Sequence, residues 1–320
     1  MFSKVIKSFK NVNHKLFLSL LIMGLCPVIY NTLRVFWLGE LPGEYSYSIA
    51  GQLSWVNLIY EIINEAIILP LFYFMGKVLL DKKEFTNRIK TGLIITLCVY
   101  LILSIIVIIF TEPLLKIMAT DVTIIDLSID YIRLEAIANI FSILSSFVLV
   151  SLITLGKRKY VYILTFVRLI ISLILDIFLI SSFNISLNLG VNGIAVSNII
   201  MLIVGIILLY KVGINIFNKD KLNFKWGKEL FKIGGISGLE SFVRNIFYIV
   251  MISRMINVVG EQGTYWVANN FIWGWLLLPI IQLGELIKQE VSTGNEKVRK
   301  NSLGYFTITL LVCLIWLLLI

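Results

Sequence analysis

Nine apolar runs occupy most of this chain, at about 16–39, 46–76, 91–110, 125–155, 160–182, 190–216, 233–258, 264–287 and 302–320. A helix crossing about 30 Å of hydrocarbon needs roughly 20 mainly apolar residues, and each run supplies them. Thr91–Thr111, Ala136–Gly156 and Gly263–Gly284 contain no charged side chain at all. In hydrocarbon, backbone N–H and C=O groups must be satisfied within the segment itself, so runs of this length read as helices and not as strands. The first run is too long for a signal-peptide core and lacks a small-residue cleavage site, so it reads as a retained span. The expectation is an all-α polytopic membrane protein.

Charge supports the same reading and orients it. Most of the 28 Lys and Arg residues fall in Lys4 to Lys15, Lys77 to Lys90, Lys157 to Lys159, Lys211 to Lys232 and Lys288 to Lys300. These segments take every second gap between apolar runs, and the alternate gaps hold a single cation, Lys116. By the positive-inside rule the N-terminus and the basic loops face the cytoplasm, in the cell membrane. Hydrophobic residues make up 58% of the chain and charged residues 15%, too few to solvate a globule of this length. The net charge of +9 does not indicate nucleic acid, because the cations are confined to membrane-flanking loops. Cys26, Cys98 and Cys313 lie in apolar runs without metal-type spacing, and His14 is the sole histidine. No metal or organic cofactor is expected, and the loops are too short to hold a catalytic domain.

Two basic segments carry helical periodicity of their own. Phe2, Val5, Ile6, Phe9 and Val12 form a stripe in residues 1–15, and Phe217, Phe224, Trp226 and Phe231 alternate with lysines in 217–232. Each reads either as an amphipathic helix on the anionic leaflet or as a basic loop. They also mark a repeat. Pro70 to Gly76 runs into the charged stretch at Lys77, and Pro279 to Gly284 runs into the one at Glu285, each followed by an uncharged span. An even number of spans separates the copies, which gives a parallel repeat. The expected division is an N-terminal segment 1–15, a lobe of six helices over 16–216, a linker over 217–232 and three helices of a second lobe over 233–320. Leu311 to Ile320 is wholly apolar with no polar flank. The expectation is a chain truncated after its ninth helix, with an oligomer or partner completing the second lobe.

Ionisable residues inside the spans are costly, roughly 2.5–3.5 kcal/mol each on insertion scales, and must face a bundle interior, water or a partner. In the second run Asn57, Glu61, Asn64 and Glu65 share one face, either a cavity wall or a structural ion pair with Arg34. Glu240 and Arg244 stand i, i+4 in the favourable order and read as an intrahelical pair, with Asn245 beside them. Arg133 and Glu135 read as the solvated start of the fourth span. Trp266, Asn270 and Trp273 share a helical face that suits flat cations, or anchors the helix at the interface. Pro70 and Pro279 are expected kinks at matched positions.

Pro27-Val-Ile-Tyr-Asn31 through Gly39, Leu175-Asp176 and Gly190-Val-Asn-Gly193-Ile-Ala195, with the seventh and eighth spans, resemble the multidrug and toxic compound extrusion (MATE) family. The resemblance implies two six-helix lobes around a cavity, and export of cationic or amphiphilic compounds coupled to protons or sodium. It also implies a coupling role for Asp176. Arg34 departs from the family, standing where an acidic residue commonly follows the Tyr-Asn pair, and Ser172 stands where Asn is common. Arg34, Arg168, Arg244 and Arg254 keep open a lipid-linked oligosaccharide flippase of the same superfamily, and a shortened chain without transport activity is the third reading.

Overall fold

The computed structural model describes residues 2–40, 46–179, 185–186, 192–217, 221–293 and 295–319, and no strand occurs among them. The helices are α1 (Phe2–Asn11), α2 (His14–Glu40), α3 (Ser46–Gly76), α4 (Lys82–Ile117), α5 (Val122–Thr154), α6 (Arg158–Leu179) and α7 (Asn192–Lys211). Then follow α8 (Gly227–Tyr248), α9 (Arg254–Val259), α10 (Gln262–Phe271), α11 (Leu278–Thr293) and α12 (Asn295–Leu319). π-Helical stretches at Ile249–Ser253 and Ile272–Leu276 join α8 to α9 and lie between α10 and α11.

Five helices among the described residues are long and apolar enough to cross a membrane, and two bent pairs raise this to seven. The runs at 160–182 and 190–216 are helical too, as α6 and α7, and extend into residues outside the description. One bent pair is α1 with α2, at 58°, and the other is α10 with α11, at 49°. The second bend falls just before Pro279. Pro70 lies within α3, which runs without a break from Ser46 to Gly76.

Two compact units divide the chain. The first comprises 1–33 and 267–320. Here α1 is the amphipathic helix expected, and it lies on α12. Ser8 Oγ donates to the Lys300 carbonyl at 3.0 Å and accepts from Gly304 N at 2.9 Å. Val12, Leu283, Leu286, Tyr305 and Ile308 form the core there, with Phe9 and Phe17 packed around it. Asn13 ends the basic segment by capping α2, its Oδ1 accepting from Leu16 N at 3.1 Å.

The second unit, 34–266, is organised around α5, which packs against α3, α4, α6 and α7. Small residues on neighbouring helices permit close approach: a Cβ on Gly92 would lie 2.8 Å from the Phe147 ring of α5. The tightest contact joins α3 and α8. Gly234 and Gly238 of α8 lie against Ala66 and Ile62 of α3, a small-residue stripe of the kind that lets membrane helices pack backbone to backbone.

The segment 217–232 does not form one amphipathic helix. Residues 221–226 are non-helical, and α8 starts only at Gly227. Trp226 explains the difference: its ring is buried against Phe74, and its Nε1 donates to Thr91 Oγ1 at 2.9 Å. Asn223 N also donates to Asn87 Oδ1 at 3.2 Å. Burying one large aromatic in a neighbouring groove outweighs a single helical turn on a membrane surface.

Candidate functional site

Glu61 stands midway along α3, and its helical face brings Asn57, Asn64 and Glu65 to the same side. Across from them, Arg244 of α8 places its Nη2 2.8 Å from Glu65 Oε1 and 3.8 Å from Glu61 Oε1. Arg244 therefore pairs between helices, and not with Glu240 one turn back on its own helix, as the i, i+4 spacing suggested. Glu240 is exposed. The reason is local: the Gly234–Gly238 stripe brings α8 so close to α3 that the long guanidinium stem reaches both carboxylates.

The exposure of this cluster matters. The side chains of Arg244 and Glu61 are 54% and 46% exposed, that of Glu65 28%. Charges this accessible at the middle of a spanning helix require water or a polar ligand beside them. Asn57 extends the polar surface towards α5, its Oδ1 accepting from Asn139 Nδ2 at 3.5 Å. Asn64 is half-buried, and its Oδ1 has no hydrogen-bond donor among the described residues. Asn245, from the same polar face of α8, turns the other way: buried, it donates to the Leu58 carbonyl at 3.4 Å and to Ser241 Oγ at 3.2 Å, clamping α8 to α3.

A buried polar thread runs behind the charged face. Tyr60 OH and Ser104 Oγ lie 3.1 Å apart, Ser104 donates to the Ala136 carbonyl at 2.8 Å, and Tyr100 OH donates to the Tyr60 carbonyl at 3.4 Å. Glu135 belongs here. It is buried, 13 positions into a helix that begins at Val122, and within electrostatic reach of Tyr60. The expectation of a solvated position is corrected for Glu135, while Arg133 is exposed: α5 begins earlier than its apolar run, at the Asp121 cap, which accepts from Thr123 N at 2.8 Å.

Another network had no sequence signal. Gln52 Nε2 donates to Asn257 Oδ1 at 2.8 Å, and Asn257 Nδ2 donates back to Gln52 Oε1 at 3.2 Å and to the Met118 carbonyl at 2.9 Å. Trp55 Nε1 and Thr120 Oγ1 also donate to Gln52 Oε1, at 3.0 and 3.1 Å. All this is buried where α3 begins and α9 ends at the left-handed Gly260. Single amides in apolar runs are common, and only the fold reveals a reciprocal pair.

Trp273 lies in the second π-helical stretch and is exposed. Trp275, in the same stretch, donates to Thr32 Oγ1 at 2.8 Å. Asp176 and Arg34 are in α6 and α2, but their side chains lie outside the described ones, as do the residues around Gly190. No cluster of three metal-ligating side chains occurs among the described residues.

The MatE family model matches residues 80–178, which cover all of α4 and α5 and most of α6. Solved structures share the architecture over nearly the whole chain. A chain named protein A covers 93% of this one at 14% identity and a TM-score of 0.70, with 67% of its own length matched. A MATE in complex with Br-NRF covers 94% at 13% identity and a TM-score of 0.54, with 73% of its own length matched. The outward-facing conformation of a multidrug resistance MATE family transporter of the MOP superfamily covers 94% at 17% identity and a TM-score of 0.53, with 68% of its own length matched. No curated protein matches the sequence.

Proposed function

We propose that this chain, a multi-pass membrane protein with the MATE transporter fold, exports cationic or amphiphilic compounds by proton- or sodium-coupled antiport. The main support is the charge balance at the middle of α3. Two carboxylates, Glu61 and Glu65, share one guanidinium, Arg244. Among the described residues one negative charge remains, in an accessible position at mid-helix. A proton, a sodium ion or a cationic substrate neutralises it equally well, and their mutual exclusion is the elementary step of antiport. Asn57 and Asn64 supply neutral polar groups on the same face, where a desolvated cation needs oxygen donors.

Alternating access follows from the pair of helices that carries the site. In this reading residues 16–216 form one lobe, 233–320 belong to the second, and the two meet along α3 and α8. The Gln52–Asn257 amide pair holds one end of that seam and the Gly234–Ala66 contact the other. Opening one end while the other stays packed exposes the charged cluster to one side of the membrane at a time. The basic loops put the N-terminus in the cytoplasm of a cell membrane.

The flippase reading asks for cationic side chains free to meet a diphosphate. Of the four arginines that kept it open, Arg244 is held by two carboxylates, and Arg254 Nε donates to the Ile117 carbonyl at 3.0 Å. Cation export is the better supported of the two. It is tested with purified protein in proteoliposomes. Ethidium accumulation driven by an imposed proton or sodium gradient is expected for the native chain and is expected to be lost in E61Q/E65Q. Accumulation that ignores both gradients, or survives the double substitution, rejects the reading.

A further inference from the structure

A polar cleft of about 180 Å³ lies at the basic end of the second unit, far along the helices from the charged cluster. Its walls are the first turns of α4, with Lys83, Asn87 and Lys90, and the non-helical segment before α8, with Lys221 and Asn223. Asp81 and Glu84 line it as well, two carboxylates against three lysines. The Asp81 carboxylate caps α4, accepting from Lys83 N and Glu84 N at 3.0 and 3.1 Å, and Glu84 pairs with Arg88 at 3.2 Å. The ammonium groups therefore set the sign of the cleft. Its second wall is pinned in place by the Asn223–Asn87 bond, by Lys225 N donating to Asn223 Oδ1 at 3.1 Å, and by the buried Trp226.

Exposed apolar residues flank the lining residues in sequence. Leu80, immediately before the cap, is fully exposed at 101%, Leu79 is exposed next to it, and Leu222 and Phe224 are exposed on either side of Asn223. A soluble anion makes use of the lysines alone and gains nothing from these apolar side chains. A molecule with an anionic head and hydrocarbon chains uses both. The position at the basic ends of spanning helices is the level at which headgroups lie.

We propose that this cleft holds the headgroup of an anionic phospholipid, with Lys83 and Lys221 on the phosphate and Leu80 and Phe224 against the chains. The site is independent of the transport reading, since it shares no residue with the charged cluster.

The test is native mass spectrometry of the full chain in detergent, titrated with phosphatidylglycerol or phosphatidylcholine. The native chain retains phosphatidylglycerol in preference to phosphatidylcholine. K83A/K221A weakens that retention roughly thirtyfold, the scale expected for two cations at an anionic surface. L80S/F224S weakens it too, and glycerol phosphate at millimolar concentration does not displace the lipid. Equal retention of phosphatidylglycerol by the native chain and K83A/K221A overturns the assignment. So does full displacement by glycerol phosphate, which would make this a soluble-anion site. Should K83A/K221A fail to fold, L80S/F224S decides: unchanged retention there overturns it as well.

Discussion

Gly234 of α8 rests directly on the carbonyl of Ala66 in α3, so closely that a Cβ added to the glycine would lie 1.8 Å from that oxygen. Ala66 is the residue whose carbonyl would accept from position 70 in a regular helix, and position 70 is Pro70, which has no N–H. The acceptor freed by one helix thus faces the exposed backbone of another. Proline inside α3 and glycine inside α8 are two halves of one contact.

Gly234→Ala is therefore expected to destabilise the protein by about 1–3 kcal/mol or more, since backbone and not a flexible side chain must move. Gly235 has nothing within 4 Å of its would-be Cβ. Gly235→Ala is expected to be neutral or stabilising by up to ~1 kcal/mol. Thermal unfolding midpoints in detergent compare the two, and equal effects would show that α3 and α8 are not packed this closely.

The Arg244–Glu65 pair, half-open to solvent, should be weak as a stabilising element. A double-mutant cycle of Arg244→Ala with Glu65→Gln is expected to give a coupling of about 0.5–1 kcal/mol. A coupling several times larger would mean the pair is sealed from water, and a sealed pair could not exchange ions.

Asn257→Ala should cost more, about 1–3 kcal/mol, because it leaves the buried Gln52 amide without its reciprocal partner. Gln52→Ala combined with it should cost clearly less than the sum of the two single changes. Additivity in chemical denaturation would contradict a shared network.

Trp226→Phe keeps the aromatic packing on Phe74 but removes the bond to Thr91. A loss of about 1 kcal/mol is expected, with proteolysis increasing first in residues 217–226. Unchanged cleavage there would mean that Trp226 does not pin the segment.

The spanning helices were legible because a membrane span is a matter of length and hydropathy, both local properties. The polar face of α3 was legible for a related reason: Asn57, Glu61, Asn64 and Glu65 repeat at helical spacing in an apolar context. What that face meets was not. Arg244 is four residues from Glu240, and only the glycine stripe, which sets the distance between α8 and α3, sends its guanidinium to Glu65 instead. The π-helical stretches were not legible either, since α-helical spacing does not anticipate their extra residue. Glu135 was misplaced because a charged residue in the run was read as lying at its solvated end, whereas it is buried 13 positions into α5. The Gln52–Asn257 pair joins residues more than half the chain apart, and no local pattern signals it.

The central claim is that the Glu61–Glu65–Arg244 cluster binds a cationic substrate in competition with the coupling ion. The direct measurement is tetraphenylphosphonium affinity of the purified chain as a function of pH and of sodium concentration, for the native protein and E61Q/E65Q. The native chain should lose affinity as pH falls or as sodium rises, and the double variant should bind weakly with no dependence on either. Identical curves for the two proteins would contradict the account.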